Sequence, residues 1–149
     1  MGANNGSSVN DFKAWWPESQ IHCFEPQREC YQDLVDTAAL YEGLGSIIIN
    51  DFAVGSAPSQ SAVFYSHDIN SGISGFNKIN VESKDSINLQ ELSKKGNIAR
   101  RLYIKTLNHE RKVEVMRLDD YIESIDPNLH IDFLKIDTQG FEPEVLDGL

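Results

Sequence analysis

The chain has 149 residues, with 13 basic and 23 acidic side chains and a formal net charge of −10. This length suits one domain with a real core, and the negative charge disfavours a nucleic-acid substrate because it repels a phosphate backbone. The two cysteines lack CxxC spacing, no apolar run reaches the roughly 20 residues of a membrane span, and no signal peptide is recognisable, so we expect a cytoplasmic protein without a membrane partner.

The first part of the chain alternates helix and strand signals. A small-residue loop at 2–8 leads into apolar residues at helical spacing over 9–16. A short strand at 21–24 precedes a second helical stripe at 30–38, and a β-branched run at 46–51 suits a strand covered on both faces. This order is typical of an α/β fold with a parallel sheet.

Residues 56–118 have a different character. Segments 62–65, 101–106 and 113–118 have the pattern of antiparallel strands, separated by polar segments rich in turn residues, and 89–95 has the pattern of a helical turn. We interpret this region as an elaboration within a single α/β domain that covers residues 1–149, since no linker divides the chain.

The most informative stretch comes near the end of the chain, after a predicted short helix at 119–125. Residues 131–136 form an apolar run that ends in Asp137, turns at Gly140 and enters a helix through Glu142. We predict a buried parallel strand here. Ligands of open α/β sheets bind at the carboxyl ends of strands, so Asp137 is a candidate for chemistry rather than a helix cap.

A glycine loop with a following acidic residue forms a second candidate site. Small residues between Gly2 and Gly6 would let the backbone approach a ligand, and the next helix offers unpaired N–H groups. Glu25 follows at the end of the next predicted strand, where a carboxylate can accept both ribose hydroxyls. Loop and acid together indicate an adenosine-containing cofactor. The loop is not GxGxxG, so this pattern leaves the cofactor open.

Several motifs together resemble the FkbM family of S-adenosylmethionine-dependent methyltransferases. Their order and spacing match over nearly the whole chain. They are Gly-Ala-Asn-Asn-Gly at 2–6, Phe-Glu-Pro at 24–26, Asp-Phe-Ala-Val-Gly at 51–55, Leu-Asp-Asp-Tyr at 118–121, Phe-Leu-Lys-Ile-Asp-Thr-Gln-Gly-Phe-Glu at 133–142 and Val-Leu-Asp-Gly at 145–148. The resemblance implies a Rossmann-like class I methyltransferase fold with S-adenosyl-L-methionine at the carboxyl ends of the first strands.

The resemblance also implies a role for each matching residue. Glu25 would hold the ribose, and Asp137 would face the transferred methyl group and the acceptor. The methionine part of the cofactor would be flanked by Gly2, Asn4 and Gly6. The adenine would lie against Asp51, Phe52 and Ala53. A hydroxyl acceptor needs a base, and the candidates are Asp137 by position and His67 by its unperturbed pKa near 6.5.

The chain departs from the family pattern at both ends. The family has a central strand before the glycine loop, whereas this sequence starts at Met1, and the family continues with further strands after the helix in which Leu149 lies. We therefore expect a fragment truncated at both ends, and we expect it to be unstable or to associate with itself, because a missing central strand leaves backbone groups unpaired.

The function that we expect is O-methylation of a sugar or secondary-metabolite hydroxyl, with a small molecule or a glycan as the acceptor. One alternative is a nucleotide- or dinucleotide-binding Rossmann protein of another class, such as an oxidoreductase. Another is a non-catalytic binding module, which the truncation would favour. We expect no metal site, because Asp137 has no clear second ligand beside it in the sequence.

Overall fold

The computed structural model describes residues 1–68, 70–81 and 104–149. The helices are α1 (Ser7–Trp15), α2 (Arg28–Ala39), α3 (Leu118–Ile125) and α4 (Glu142–Leu146), with a 3-10 helix at Ser71–Ile73. The strands are β1 (Gln20–Phe24), β2 (Ser46–Asn50), β3 (Ala53–Val54), β4 (Ser59–Ser66) and β5 (His109–Met116). Within these described residues, no helix is both long and apolar enough to cross a membrane.

The first sheet is a parallel pair formed by β1 and β2, in register from Gln20 opposite Ser46 to Phe24 opposite Asn50. Parallel strands need a crossover connection, and α2 provides it. A small core forms where Val9 of α1 and Leu34 of α2 pack with the buried side chain of Cys23. The helical stripes and the two strands predicted for this part of the chain are thus confirmed.

The second sheet has the order β3-β5-β4 and is mixed, because β5 runs parallel to β3 and antiparallel to β4. The antiparallel ladder extends from Ser66 opposite His109 to Ala62 opposite Val113, with an irregularity before Ser59. The predicted elaboration therefore contains the expected antiparallel pair. That pair is not a separate layer, since β5 also pairs with β3.

The main core lies under this sheet. It consists of the buried side chains of Phe24, Val54, Leu118, Tyr121 and Val145. The rings of Phe24 and Tyr121 meet edge to face at 5.0 Å between centroids, an arrangement that aromatic pairs prefer. This core joins the end of β1 to α3 and α4, and so fixes the side of the molecule on which the cavity described below opens.

Two details of the elaboration differ from the prediction. The strand predicted at 113–118 ends at Met116, and Leu118 begins α3 instead. The strand predicted at 101–106 is wrong at Ile104 and Lys105, which are helical, while residues 101–103 lie outside the described part of the chain. The helical turn predicted at 89–95 also lies outside it.

The buried strand predicted at 131–137 does not form. Its residues lie outside any regular helix or strand, and Ile131 and Phe133 are 40% and 59% exposed. Two backbone hydrogen bonds tie the segment to Met1, whose N donates to Lys135 O at 2.6 Å and whose O accepts from Asp137 N at 3.1 Å. A strand needs a neighbour about 4.8 Å away. Here an open groove of ≈ 890 Å³ separates residues 131–135 from β1.

One buried charge holds the first α/β unit together. Lys13 of α1 is 2% exposed, and its ammonium donates to the backbone carbonyls of Pro17, Ser19 and Leu44. A buried ammonium is tolerated only when such acceptors surround it. Lys13 therefore fixes the turn from α1 to β1 against the turn from α2 to β2.

Candidate functional site

A cavity of ≈ 100 Å³ opens at the carboxyl end of β1. Its walls come from the N-terminal loop, the end of β1, the start of β3, the 3-10 helix and the turn at 137–139. The lining residues are Met1, Gly2, Asn4, Phe24, Glu25, Pro26, Gln27, Ala53, Val54, Phe64, Ser71, Gly72, Ser74, Phe76, Asp137, Thr138 and Gln139. Segments distant in the sequence thus meet at the sheet edge where α/β proteins bind ligands.

The N-terminal loop forms one wall because its backbone turns in the left-handed region. Gly2, Asn4 and Gly6 have φ angles of 72°, 48° and 85°. The N–H groups of Gly2 and Ala3 both donate to Phe24 O at 3.1 Å, and Gly6 N donates to Ala3 O at 2.9 Å. A Cβ on Gly2 would overlap the carbonyl oxygen of Asp137. Only glycine therefore fits between β1 and the Asp137 segment.

Glu25 lies at the base of the cavity and is 3% exposed. Its Oε2 accepts from the backbone N of Asn4 at 2.8 Å, and its Oε1 accepts from Gln27 N at 2.9 Å and Gln27 Nε2 at 3.2 Å. A carboxylate offers about four acceptor positions. With three donors in place, Glu25 keeps acceptor capacity for a ligand hydroxyl.

Asp137 lines the cavity from the other segment, and its side chain is 52% exposed. Its Oδ2 lies 3.0 Å from the ammonium of Lys135, and its Oδ1 accepts from Gln139 Nε2 at 2.9 Å. These two contacts restrain the carboxylate while leaving part of it accessible. Asp137 therefore has the position and exposure that contact with a second ligand requires.

The turn after Asp137 is fixed by Glu142 at the start of α4. The Glu142 carboxylate accepts from Thr138 N at 2.7 Å and from Gly140 N at 2.9 Å. Hydrogen bonds from its own backbone N–H and from those of Thr138 and Gly140 lower the pKa of Glu142. Gln139 and Gly140 accordingly adopt φ angles of 56° and 91°. The charged carboxylate of Glu142 thus holds the turn that follows Asp137.

The structure brings most of the predicted site residues to one cavity. Those that line it are Gly2, Asn4, Glu25, Ala53 and Asp137. Ala53 and Val54 are 6% and 3% exposed and give the cavity an apolar wall. Among the described residues, no group of three or more His, Cys, Asp or Glu side chains is arranged to hold a metal ion.

The remaining predicted residues lie around the cavity but are not among its lining residues. Gly6 is the N-cap of α1 and packs against Thr37, and Asp51 is exposed after β2. Phe52 belongs to the core, with its ring 5.6 Å from that of Phe24.

His67 is buried beside the 3-10 helix and is also not among the lining residues. Its Nδ1 accepts from Asn70 N at 2.7 Å, and its backbone N donates to Ser74 Oγ at 3.0 Å. Burial lowers its pKa.

Sequence reasoning missed one wall of the cavity. Ser71, Gly72 and Ser74 come from the elaboration, whose Ser/Gly-rich composition marks a loop but does not show where that loop packs. Gln27 was also missed, although its place two residues after Glu25 in a Phe-Glu-Pro motif was a usable signal. Gln27 matters because it donates to the Glu25 carboxylate, which is predicted to bind the ribose. Ser71 matters because it accepts from Gln27 and from Asn4 of the N-terminal loop.

Comparison with known proteins agrees with this geometry. The family model described as the Methyltransferase FkbM domain matches residues 1–149. Searches among curated proteins and among solved structures return no match. The family implies a Rossmann-like methyltransferase fold, which agrees with a mixed α/β structure containing a parallel strand pair. The chain therefore belongs to the FkbM methyltransferase family, whose domain is that of an S-adenosylmethionine-dependent methyltransferase.

Proposed function

We propose that this domain binds S-adenosylmethionine in the cavity at the end of β1 and methylates a hydroxyl group of a sugar or secondary metabolite. The observation that carries the proposal is the buried carboxylate of Glu25 beneath the loop of Gly2 and Asn4, with acceptor capacity to spare. One ribose hydroxyl matches the acceptor position that remains on Glu25, and the second can bind where the Gln27 amide gives way.

The other cavity walls suit the remaining parts of the cofactor. Buried Ala53 and Val54 offer an apolar surface for an adenine ring. The Gly2 and Asn4 backbone lies between Glu25 and Asp137, the path that the methionine part would follow. The acidic side chains at both ends of that path favour a positively charged sulfonium.

Methyl transfer to a hydroxyl is an in-line displacement, so the protein mainly aligns the two reactants and accepts a proton. When bound, S-adenosylmethionine would supply the methyl group, and its S–CH₃ bond would break with the electron pair staying on the sulfur of S-adenosylhomocysteine. Asp137 is the proposed base, and its carboxylate would take the proton from the acceptor hydroxyl as the new O–C bond forms. Lys135 and Gln139 hold that carboxylate in position. His67 is the second candidate base. An acceptor hydroxyl could contact its buried ring only after a movement that exposes the ring.

The first experiment is calorimetric titration with S-adenosylhomocysteine and, separately, with NAD. We expect S-adenosylhomocysteine to bind and NAD not to bind. Glu25→Gln should weaken binding at least about 10-fold, because hydrogen bonds to a charged acceptor are worth about 1.5–3 kcal/mol. Glu123→Gln is the matched control, since Glu123 is exposed on α3. Binding of NAD alone would support the oxidoreductase alternative instead.

The second experiment tests catalysis with methyl-labelled cofactor and a glycan or metabolite extract. We expect label in an acceptor fraction and a methyl ether in the product. Cofactor binding without any transfer would favour a non-catalytic binding module.

A further inference from the structure

The cavity is too small for the cofactor in the conformation described. Its volume is ≈ 100 Å³, whereas pockets for ligands of this size are typically about 300–1,000 Å³. One wall must therefore move before S-adenosylmethionine can enter. Since the walls are built differently, their contacts indicate which one moves.

Four of the five walls are held by backbone hydrogen bonds, strand pairing or core packing. The N-terminal loop donates from Gly2 N and Ala3 N to Phe24 O, and the Glu142 carboxylate accepts from the backbone of the turn at 137–139. Phe24 ends β1 in register with β2, and Val54 pairs with Met116 of β5 while packing in the main core. Displacing either strand wall would break a ladder and expose apolar side chains. These four walls are poor candidates for movement.

The fifth wall is residues 70–74, which we call the strap. Its contacts with the opposite side of the cavity converge on Ser71: Asn4 Nδ2 donates to Ser71 Oγ at 2.9 Å, and Gln27 Nε2 donates to Ser71 O at 3.2 Å. Neutral hydrogen bonds of this kind contribute little net stability each. The strap is therefore the wall that is most easily displaced.

The ends of the strap are anchored independently of these contacts. Asn70 N donates to His67 Nδ1 at 2.7 Å, and Ser74 Oγ accepts from His67 N at 3.0 Å. Gly75 and Tyr65 then exchange two backbone hydrogen bonds, at 2.8 and 3.0 Å. The middle of the strap can thus move away from the cavity while both ends stay attached to β4.

Gln27 couples the strap to the predicted ribose site. Its Nε2 lies 3.2 Å from both Glu25 Oε1 and Ser71 O, so a single amide group connects the buried carboxylate to the strap. Glu25 has room for one more donor, so the second of two vicinal ribose hydroxyls would compete with this amide. The same event that places the ribose would then weaken the contact that keeps the cavity closed.

We propose that the strap is a gate over the cofactor cavity, that Asn4 and Gln27 hold it closed through Ser71, and that it must open for S-adenosylmethionine to bind. This inference rests on the proposed function, because it assigns a gate to the same cofactor site. The closed conformation limits the rate of cofactor association rather than the chemistry that follows.

Cys30 offers a way to lock the gate. Burial raises the pKa of this thiol, and its proximity to Ser71 lowers the pKa by less. In Ser71→Cys, an added disulfide such as oxidised glutathione should take two electrons and two protons from the two thiols, so that they form an S–S bond and hold the strap closed. We expect the oxidised variant to lose binding of S-adenosylhomocysteine at least 10-fold, and a reductant to restore it. Ser71→Cys combined with Cys30→Ser is the matched control, and the oxidant should not change its binding of S-adenosylhomocysteine.

A second variant decides the question even if the disulfide does not form. Ser71→Ala removes one of the contacts that close the cavity, and we expect S-adenosylhomocysteine to associate about 2- to 12-fold faster, as measured by stopped-flow fluorescence. Far-ultraviolet circular dichroism checks that each variant is folded. An unchanged association rate in Ser71→Ala, or unchanged binding by a confirmed disulfide, would overturn the gate. If the wild-type protein does not bind S-adenosylhomocysteine at all, the proposed function itself fails.

Discussion

Two carboxylates of the cavity differ in ways that separate their roles. Glu25 is buried and accepts three hydrogen bonds from Asn4 and Gln27, so it is part of the loop's framework as well as a proposed ligand contact. Asp137 is half exposed, and its carboxylate is hydrogen-bonded to Lys135 and Gln139 of its own segment. Replacing Glu25 should therefore disturb binding, whereas replacing Asp137 should disturb turnover.

Asp137→Asn should lower methyl transfer about 100-fold or more, because a positioned base typically contributes 10²–10⁴ in rate. Binding of S-adenosylhomocysteine should change less than about threefold, since the loop and Glu25 are untouched. Asp132→Asn is the matched control, because Asp132 is exposed in the same segment. Single-turnover kinetics and calorimetry measure the two quantities, and unchanged turnover would refute the assigned role.

The two cysteines should be almost unreactive in the folded protein. Cys23 is 4% exposed, and burial raises its pKa to about 11, so little thiolate exists at neutral pH. Burial also raises the pKa of Cys30. We expect a disulfide reagent to label both only at the rate of opening or unfolding, as followed by absorbance with and without denaturant. Fast labelling of Cys23 in the native protein would contradict the described packing.

At the scale of elements, sequence patterns correctly predicted the helices and strands that depend on the residues of one segment. The apolar spacing of α1 and α2, the β-branched run of β2 and the acidic first turn of α3 each reflect a single segment's preference. The run at 131–137 has an equally clear strand pattern and forms no strand. A strand also needs a neighbouring strand with which its backbone groups form hydrogen bonds, and the sequence of one segment does not show whether that neighbour is present.

The turn between Asp137 and α4 depends on Glu142, so Glu142→Gln should destabilise the fold by about 1–2 kcal/mol through weaker bonds to Thr138 N and Gly140 N. Because the folded protein lowers the pKa of Glu142, this contribution is complete above the unfolded value near 4.5 and is lost as the pH falls through the lower native value. The variant should therefore lose most stability near neutral pH and least in acid.

Denaturant unfolding at several pH values measures this difference. Glu123→Gln serves again as the control, since Glu123 is exposed and lies in another helix. A loss of stability that is the same at pH 3 and pH 7 would show that the Glu142 charge is not what holds the turn.

At the scale of the molecule, the strands in the described part of the chain form two sheets rather than one continuous sheet, with a groove between β1 and residues 131–135. Trp15, Trp16 and Phe133 border it and are 63%, 50% and 59% exposed. A groove this apolar is unusual on a stable monomer. Instability or self-association of the chain remains a prediction. The groove is the surface through which we expect the chain to associate.

We expect the protein to bind a hydrophobic fluorescent dye and to associate at increasing concentration. Trp16→Ser combined with Phe133→Ser should reduce both effects, because these rings pack against each other at 5.9 Å and border the groove. Leu40→Ser is the control, since Leu40 is 75% exposed but does not line the groove. Dye fluorescence and sedimentation velocity measure the outcome, and equal effects of both variants would remove the groove as the cause.

The candidate site was predictable where one motif supplies both backbone and chemistry, as at Gly2, Glu25 and Asp137. It was not predictable where the fold returns a distant segment to the cavity. Ser71 lies 46 residues after Glu25 in the chain, and nothing in its Ser/Gly-rich surroundings indicates that Gln27 connects the two. Long-range packing of loops follows from the whole structure rather than from the local pattern.

The N-terminal loop contains a sequence, Asn5-Gly6, that is prone to deamidation. Asn5 precedes Gly6, and an asparagine before glycine deamidates when the glycine nitrogen attacks the side-chain amide. In the folded loop that nitrogen donates to Ala3 O, while Asn5 Oδ1 accepts from Ser7 N. Ageing at Asn5 is therefore suppressed as long as the loop holds its shape. Isoaspartate at this position would record how often the N-terminal loop has opened during the lifetime of the molecule.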